Sequence, residues 1–270
     1  FGGWETAAIK FHNSVDTVIS GNLIRGVFHQ QQGAFGIWID YANQGIRITG
    51  NVIYDTQAAT VFLEMNHGPT LVDNNILIGE KVRSNSEATV FAHNLFVDCG
   101  YQYNPDTNRR SAYYTPHTTK SVAAKTGTAQ EEKWFNNIFI RQGLDDVKDA
   151  PGCISDYNIF LEGAAKSAFG DEHSIVDSFV TKFNHESHPF GVKIKFSMNN
   201  AASRLKGPWV DAELVGIFST VGQTIEDRSG NPIRVDADIN GKKFAEPIAG
   251  PLADIQQGKN AFDWEFNPVH

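Results

Sequence analysis

The chain has 270 residues, with 31 Asp and Glu against 23 Lys and Arg, a formal charge of −8 and no basic run, which argues against a nucleic-acid groove or an anionic membrane surface as its partner. Its 41% hydrophobic and 11% aromatic content suits a domain that buries a core, and no apolar stretch approaches the roughly 20 residues that span a bilayer. Cys99 and Cys153 have neither a disulfide framework nor metal spacing and read as structural thiols.

The chain opens Phe1-Gly2-Gly3-Trp4, without Met or a signal peptide, so the compartment stays open. Ala8-Ile9-Lys10-Phe11-His12, Gly36-Ile37-Trp38-Ile39-Asp40 and Thr60-Val61-Phe62-Leu63-Glu64 each read as a strand with apolar residues at positions two and four. Between the first two lies a loop around residues 28–34. A second, longer loop, rich in Tyr, Thr, Asn and Arg, occupies residues 100–133. Val192-Lys193-Ile194-Lys195-Phe196 alternates like a half-exposed strand, and from Gly207 onward Pro and Gly punctuate short segments.

One pattern recurs: Asn followed by apolar residues, at Asn22, Asn51, Asn75, Asn94, Asn137 and Asn158. The steps are 29, 24, 19, 43 and 21 residues. About 20 to 24 residues per step suits one turn of a parallel solenoid, in which short strands stack and share an apolar axis. Asn tolerates left-handed backbone, and its amide can bond to the Asn one turn away. The expected fold is therefore all-β: a right-handed parallel β-helix with long loops and an irregular C-terminal cap. Residues 1–165 form the coils that carry the active site. Residues 166–270 form the final irregular coils and cap of the same domain.

Side chains alternate across a strand. Ile9, Phe11, Ile37, Ile39, Val61 and Leu63 are expected in the core. Lys10, His12, Trp38, Asp40, Phe62 and Glu64 then share the opposite face, with Asp40 and Glu64 on one rung of adjacent strands. Neighbouring strands lie about 4.8 Å apart, so the two carboxylates come to about 5 Å, the separation of a retaining glycosidase. Acids this close cannot both ionise freely, and the one with the raised pKa supplies a proton donor. Trp38 and Tyr41 offer surface for a sugar ring. From spacing alone, a stacked acid pair in a surface ladder, holding a cation, is the alternative reading. His67 follows Glu64 by three residues, His117 sits in the long loop, and Glu5 precedes the first strand; each is a candidate for the same cleft and each is unremarkable alone. A nucleophilic Ser elbow, a zinc-type His cluster, a phosphate loop and a dinucleotide fingerprint are all missing from the sequence.

At these residues a family resemblance enters. Gly36-Ile37-Trp38-Ile39-Asp40 with Gln44-Gly45-Ile46-Arg47-Ile48 resembles the GIWLDW…QGTRVS signature of the β-xylosidases of glycoside hydrolase family 120. Phe62-Leu63-Glu64-Met65-Asn66-His67-Gly68-Pro69 with Leu71-Val72-Asp73-Asn74-Asn75 is similar to the same family. So are Glu5-Thr6-Ala7-Ala8-Ile9-Lys10-Phe11-His12, Tyr114-Thr115-Pro116-His117-Thr118 and Val235-Asp236-Ala237-Asp238-Ile239-Asn240-Gly241-Lys242. The resemblance implies a right-handed parallel β-helix and a retaining mechanism. It implies Asp40 as nucleophile, Glu64 as acid/base and Glu5 as a third acid lining the sugar subsite. It puts His12, Trp38, His67 and His117 at motif positions, expected to bind substrate. Tyr41 departs from the usual Trp, the loop at 28–34 is longer, and the long loop is shorter, all at the rim of the pocket. The family also carries a long N-terminal portion, so an upstream segment completing the β-helix is expected.

The expected activity is release of β-linked xylose from xylo-oligosaccharides by two-carboxylate double displacement, with no metal or organic cofactor. A homo-oligomer is compatible with this reading; nucleic-acid and membrane partners are not expected. Three alternatives stand: a glycosidase for another sugar such as an arabinoside or galactoside; a polysaccharide lyase, with Lys10 or Arg47 as base; and a carbohydrate-binding solenoid without turnover.

Overall fold

A computed structural model of the chain describes residues 5–31 and 33–265. The opening Phe1-Gly2-Gly3-Trp4, and Gln32 of the loop at 28–34, lie outside the described residues. Successive strands fall in rotation into three parallel sheets. The first places Ala7–Phe11, Phe35–Asp40, Ala59–Glu64, Lys81–Ser84 and Gly100–Tyr103 side by side. The second runs from Val18–Ser20 through Ile46–Thr49, Thr70–Asp73, Thr89–Ala92 and Lys133–Phe135 to Ile154–Asp156. The third holds the apolar triplets, from Leu23–Ile24 to Ile159–Leu161 and Ile175–Asp177. Their inward residues form one core around Ile37, Ile39, Val61, Leu63, Phe96, Trp134, Phe139 and Phe160. Phe96, Phe139 and Phe160 stand in register on adjacent strands and stack at 4.6 and 5.0 Å. Such aromatic pairs add about 0.5–1.5 kcal/mol each beyond area burial.

The recurring asparagines form a continuous ladder. The backbone N–H and Nδ2 of Asn22 both donate to Oδ1 of Asn51, at 3.0 and 2.9 Å. Asn51 does the same to Asn75, Asn75 to Asn94, Asn94 to Asn137 and Asn137 to Asn158, all at 2.9–3.0 Å. Each side chain thereby satisfies backbone groups that the turn leaves unpaired. The left-handed backbone falls one residue earlier than expected, on Gly21, Gly50, Asn74, His93, Asn136 and Tyr157. The ladder Asn is selected for its amide, and its predecessor takes the turn.

The expected fold, a right-handed parallel β-helix closed by an irregular cap, requires correction. Among the described residues the strands divide into six separate sheets, the three large ones parallel and the three small ones antiparallel. The C-terminal third is where the expectation breaks. Asn184–His188, Gly191–Met198 and Gly258–Glu265 form an antiparallel sheet whose central strand pairs along its whole length. Only two residues join the first two of these strands. Parallel pairing needs a crossover of a dozen residues or more, so the connection enforces antiparallel order. Val192, Ile194, Phe196 and Phe262 bury their side against Ile138, Ile140 and Ile159 of the third sheet. The segment expected as irregular coil is thus a layer of sheet.

The long loop also carries structure. Gly100–Tyr103 still belongs to the first sheet, and the excursion that follows folds into an antiparallel hairpin, Ser111–Tyr114 with Ser121–Lys125. Tyr114 pins it to the strand corners: its N–H donates to Oε1 of Gln44 at 3.0 Å and its hydroxyl to Oδ1 of Asn13 at 3.0 Å. Cys99 and Cys153 are free thiols. No helix among the described residues is long and apolar enough to cross a membrane.

The ladder yields a test. Asn75→Ala removes a fully buried link: the N–H and Nδ2 of Asn51 lose their acceptor and the carbonyls of Ile48 and Asp73 lose a donor, while the backbone N–H of residue 75 keeps its bond to Oδ1 of Asn94. It should lower unfolding free energy by roughly 2–4 kcal/mol, whereas Asn22→Ala at the partly exposed end should cost about 1 kcal/mol or less. Denaturant unfolding of the two variants measures the contrast.

Candidate active site

The first sheet sets the geometry. Ile9 pairs with Ile37 and Phe11 with Ile39; Ile37 pairs with Val61, Ile39 with Leu63, and Asp40 with Glu64. The two acids stand directly opposite each other at the ends of adjacent parallel strands, which are spaced about 4.8 Å apart. Both are buried, with 3% and 5% of their surface exposed. Trp38, Phe62 and Phe35 pack together on the same side, with ring centroids 4.7–5.3 Å apart.

A second amide ladder, invisible to the Asn-triplet pattern, fixes these strand ends. Asn43 donates its N–H and Nδ2 to Oδ1 of Asn66 at 2.9 and 3.0 Å, and Asn66 donates likewise to the Ser86 hydroxyl. Nδ2 of Asn43 also holds the carbonyl of Asp40 at 2.7 Å, and Nδ2 of Asn66 that of Ile39 at 3.0 Å. The turn between strand and ladder is left-handed at Tyr41, Ala42 and Met65.

Asp40 meets cations. Lys10 Nζ lies 2.8 Å and His12 Nε2 3.1 Å from its Oδ2. Oδ1 is buried and has no hydrogen-bond partner among the described residues. Lys10 also reaches Oε2 of Glu5 at 2.6 Å and sits 3.6 Å from the Trp38 ring centroid. Burial pulls the Lys10 ammonium down, but hydrogen bonds to Asp40 and Glu5 outweigh it and hold its pKa above the ordinary lysine value. Glu5, exposed, is pulled below the usual carboxylate range by its bond to Lys10. Ligand atoms of Glu5, His12 and Asp40 lie within 4.8 Å of one another. The Lys10 ammonium touches two of the three and supplies the positive charge a metal would bring.

Glu64 has different partners. Trp38 Nε1 donates to its Oε2 at 2.9 Å, and Arg109 NH2 reaches its Oε1 at 2.6 Å. Burial pushes its carboxyl up, the Arg109 hydrogen bond opposes, and the charge of Asp40 adds to the rise; the net pKa is raised. Arg109 comes from the long loop, is tied there to Asp106, and lies 5.1 Å from the Tyr41 ring. Beside Glu64 opens a cavity of about 400 Å³ lined by Trp38, Phe62, Arg83, Asn104 and Arg109 among others. Sequence reading missed Arg83 and Arg109, because neither sits in a motif and both arrive by folding.

The remaining candidates lie elsewhere. His67 is fully buried; its Nδ1 is 3.2 Å from Oε1 of Glu87 and its Nε2 2.7 Å from Oγ of Ser111. This Ser–His–Glu order mimics a nucleophilic triad, but the Ser111 hydroxyl is donated to the carbonyl of Met65. Glu87, despite burial, is held below the ordinary carboxylate value by His67, Thr128 and Lys125. The cluster ties the long-loop hairpin to the corner after Glu64. His117 bridges Asp16 at 3.0 Å and Glu226 at 2.9 Å, clamping loop to tail. Neither histidine lines the cavity beside Glu64. Arg47, considered above as a lyase base, is locked in a two-pronged pair with buried Asp73 at 2.8 and 2.9 Å.

No family model matches the chain, and no curated protein matches its sequence. Among solved structures, one described as "The complex structure of XylC with xylose" superposes with a TM-score of 0.86 at 22% sequence identity. The match covers 97% of this chain and 45% of that one, so the chain spans less than half the length of its structural relative. The two share a fold over nearly all of the present chain.

The Ser111 cluster generates a prediction. Ser111→Ala frees a buried carbonyl and a buried imidazole nitrogen, and should destabilise the fold by about 1–3 kcal/mol. Hydrolysis of an aryl ester by wild type and variant should be indistinguishable; a wild-type esterase rate lost in the variant would contradict the structural role.

Proposed function

We propose that this chain carries the active site of a retaining glycoside hydrolase that releases β-linked xylose from xylo-oligosaccharides. The observation that carries the reading is the in-register pair of Asp40 and Glu64, the first held by Lys10 and His12 and the second raised in pKa by burial and by the charge of Asp40. Environments that treat two adjacent titratable groups differently assign acid and base roles. A fold shared with a protein solved in complex with xylose supports the choice of sugar.

In the first step the Asp40 carboxylate, held through Oδ2 by Lys10 and His12, attacks the anomeric carbon. The C–O bond to the leaving group breaks, and Glu64 passes its proton to the departing oxygen. Its raised pKa keeps that proton available above the pH at which an ordinary carboxyl would have lost it. In the second step ionised Glu64 takes a proton from water, the water oxygen attacks the anomeric carbon, and Asp40 is released. Glu5 and Trp38 serve the sugar subsite, the first beside Lys10 and the second with its indole N–H fixing Glu64. The lyase alternative loses support because Lys10 has a raised pKa, the wrong direction for a base, and Arg47 is fully engaged.

Asp40→Asn should lower kcat/KM on an aryl β-xyloside by about 10³-fold or more. Glu64→Ala should lower it by roughly 10²–10⁴-fold for poor leaving groups, less for activated ones, with partial rescue by azide. Full activity of Asp40→Asn would end the assignment.

The pH profile gives a second test. Activity falls as pH rises through the pKa of Glu64, because the first step needs its proton. Arg109 favours the ionised form. Arg109→Met should therefore raise that pKa further and move the basic limb of kcat/KM to higher pH. A limb that stays or moves down would contradict the pairing.

A further inference from the structure

We infer that the cavity beside Glu64 receives an acidic sugar residue on the leaving-group side, with its carboxylate bound by the Arg83 guanidinium. The side is assigned on the hydrolase reading above; the anion site stands on its own observations. The cavity is bordered by Glu64, the proton donor to the departing oxygen, and Asp40 does not line it. It therefore lies towards the departing group and away from the attacked carbon.

Arg83 stands on the first sheet, directly opposite Phe62 in register. Its guanidinium carbon lies 4.8 Å from the Phe62 ring centroid and 5.8 Å from that of Phe35. A cation–π contact of this kind steadies the guanidinium against the aromatic wall, and its planar fork of donors suits a carboxylate. Arg47 and Arg109 each have a carboxylate partner, whereas Arg83 has no ion pair with a described residue. Its Nε is shielded and unpartnered, and so is Nδ2 of Asn104 on the same cavity wall. Two donors wait there without acceptors.

The other charges around the cavity are spoken for. Asp106 is paired with Arg109, and Arg109 also reaches Glu64. The positive charge of Arg83 remains uncompensated beside an aromatic wall of Phe35, Trp38 and Phe62. A sugar ring presents an apolar face to such a wall. A carboxylate on that ring meets the guanidinium charge of Arg83; a neutral pentose leaves that charge unanswered. The matching ligand is a uronate-bearing residue to which the cleaved xylose is attached.

The test compares three substrates on the full chain: an aryl β-xyloside, a neutral xylose disaccharide, and a disaccharide of β-xylose on glucuronate. The wild type should prefer the acidic disaccharide over the neutral one. Arg83→Gln should reduce kcat/KM on the acidic disaccharide by about 10- to 100-fold while leaving both neutral substrates within about twofold, and Arg83→Lys should restore part of the loss. Equal loss on all substrates, or no loss on the acidic one, overturns the inference and leaves the hydrolase reading intact. If the wild type turns over none of them, binding of methyl glucuronoside, methyl xyloside and acetate is followed by NMR. Uronate binding that Arg83→Gln abolishes then upholds the anion site while the hydrolase reading fails. Uronate binding no tighter than acetate, or unmoved by the variant, overturns it.

Discussion

The proposed chemistry of this chain hangs on one register: Phe35–Asp40 against Ala59–Glu64. Because side chains alternate along a strand, a slip of one residue would turn either acid into the core and bring Ile39 or Leu63 out. The core holds the register from one side through Ile37, Ile39, Val61 and Leu63. The amides of Asn43 and Asn66 hold it from the end, bonded to each other and to the carbonyls of Asp40 and Ile39. Burial and turn chemistry thus point to the same arrangement. Such agreement between levels makes a site rigid enough for geometry-dependent catalysis.

Given that register, the two acids differ through what the rest of the fold delivers to them. The first strand brings Lys10 and His12 to Asp40; the long loop brings Arg109 to Glu64. Position on the sheet alone would make the two carboxylates nearly equivalent. Burial and the charge of Asp40 raise the Glu64 carboxyl, and a single guanidinium carried on a hairpin-bearing excursion pulls against them. The hairpin's own anchorage through Tyr114, Ser111 and His67 therefore bears on the proposed acid–base role of Glu64 from a distance.

Much of this was legible in the sequence, for physical reasons that also explain what was not. The parity of Ile9, Ile37 and Val61 against Lys10, Trp38 and Phe62 follows from strand geometry and gave the pairing of Asp40 with Glu64. The Asn ladder was readable because one residue type recurs before apolar triplets. The corner of Asn43, Asn66 and Ser86 was not, since its members differ and are followed by Gln44, His67 and Glu87. The solenoid expectation was not met: the described strands divide among several separate sheets, and an alternating segment such as Val192 to Phe196 does not reveal its partner; a two-residue connection and Gly258–Glu265 decided it. Arg83 and Arg109 had no local signal, because a salt bridge or a stacked guanidinium is made by tertiary placement. His67 and His117 had signals as motif residues, and the structure puts the first in a buried cluster and the second in a half-buried one, both holding loops.

The central claim is that Asp40 and Glu64 divide the labour of one displacement, Asp40 as the nucleophile. The most direct measurement is to trap the intermediate. Incubation with an activated 2-deoxy-2-fluoro-β-xyloside, followed by proteolysis and mass spectrometry, should give a stoichiometric adduct on the peptide containing Asp40. An adduct on Glu64, or turnover that proceeds without any adduct and with inverted anomeric product, would contradict it.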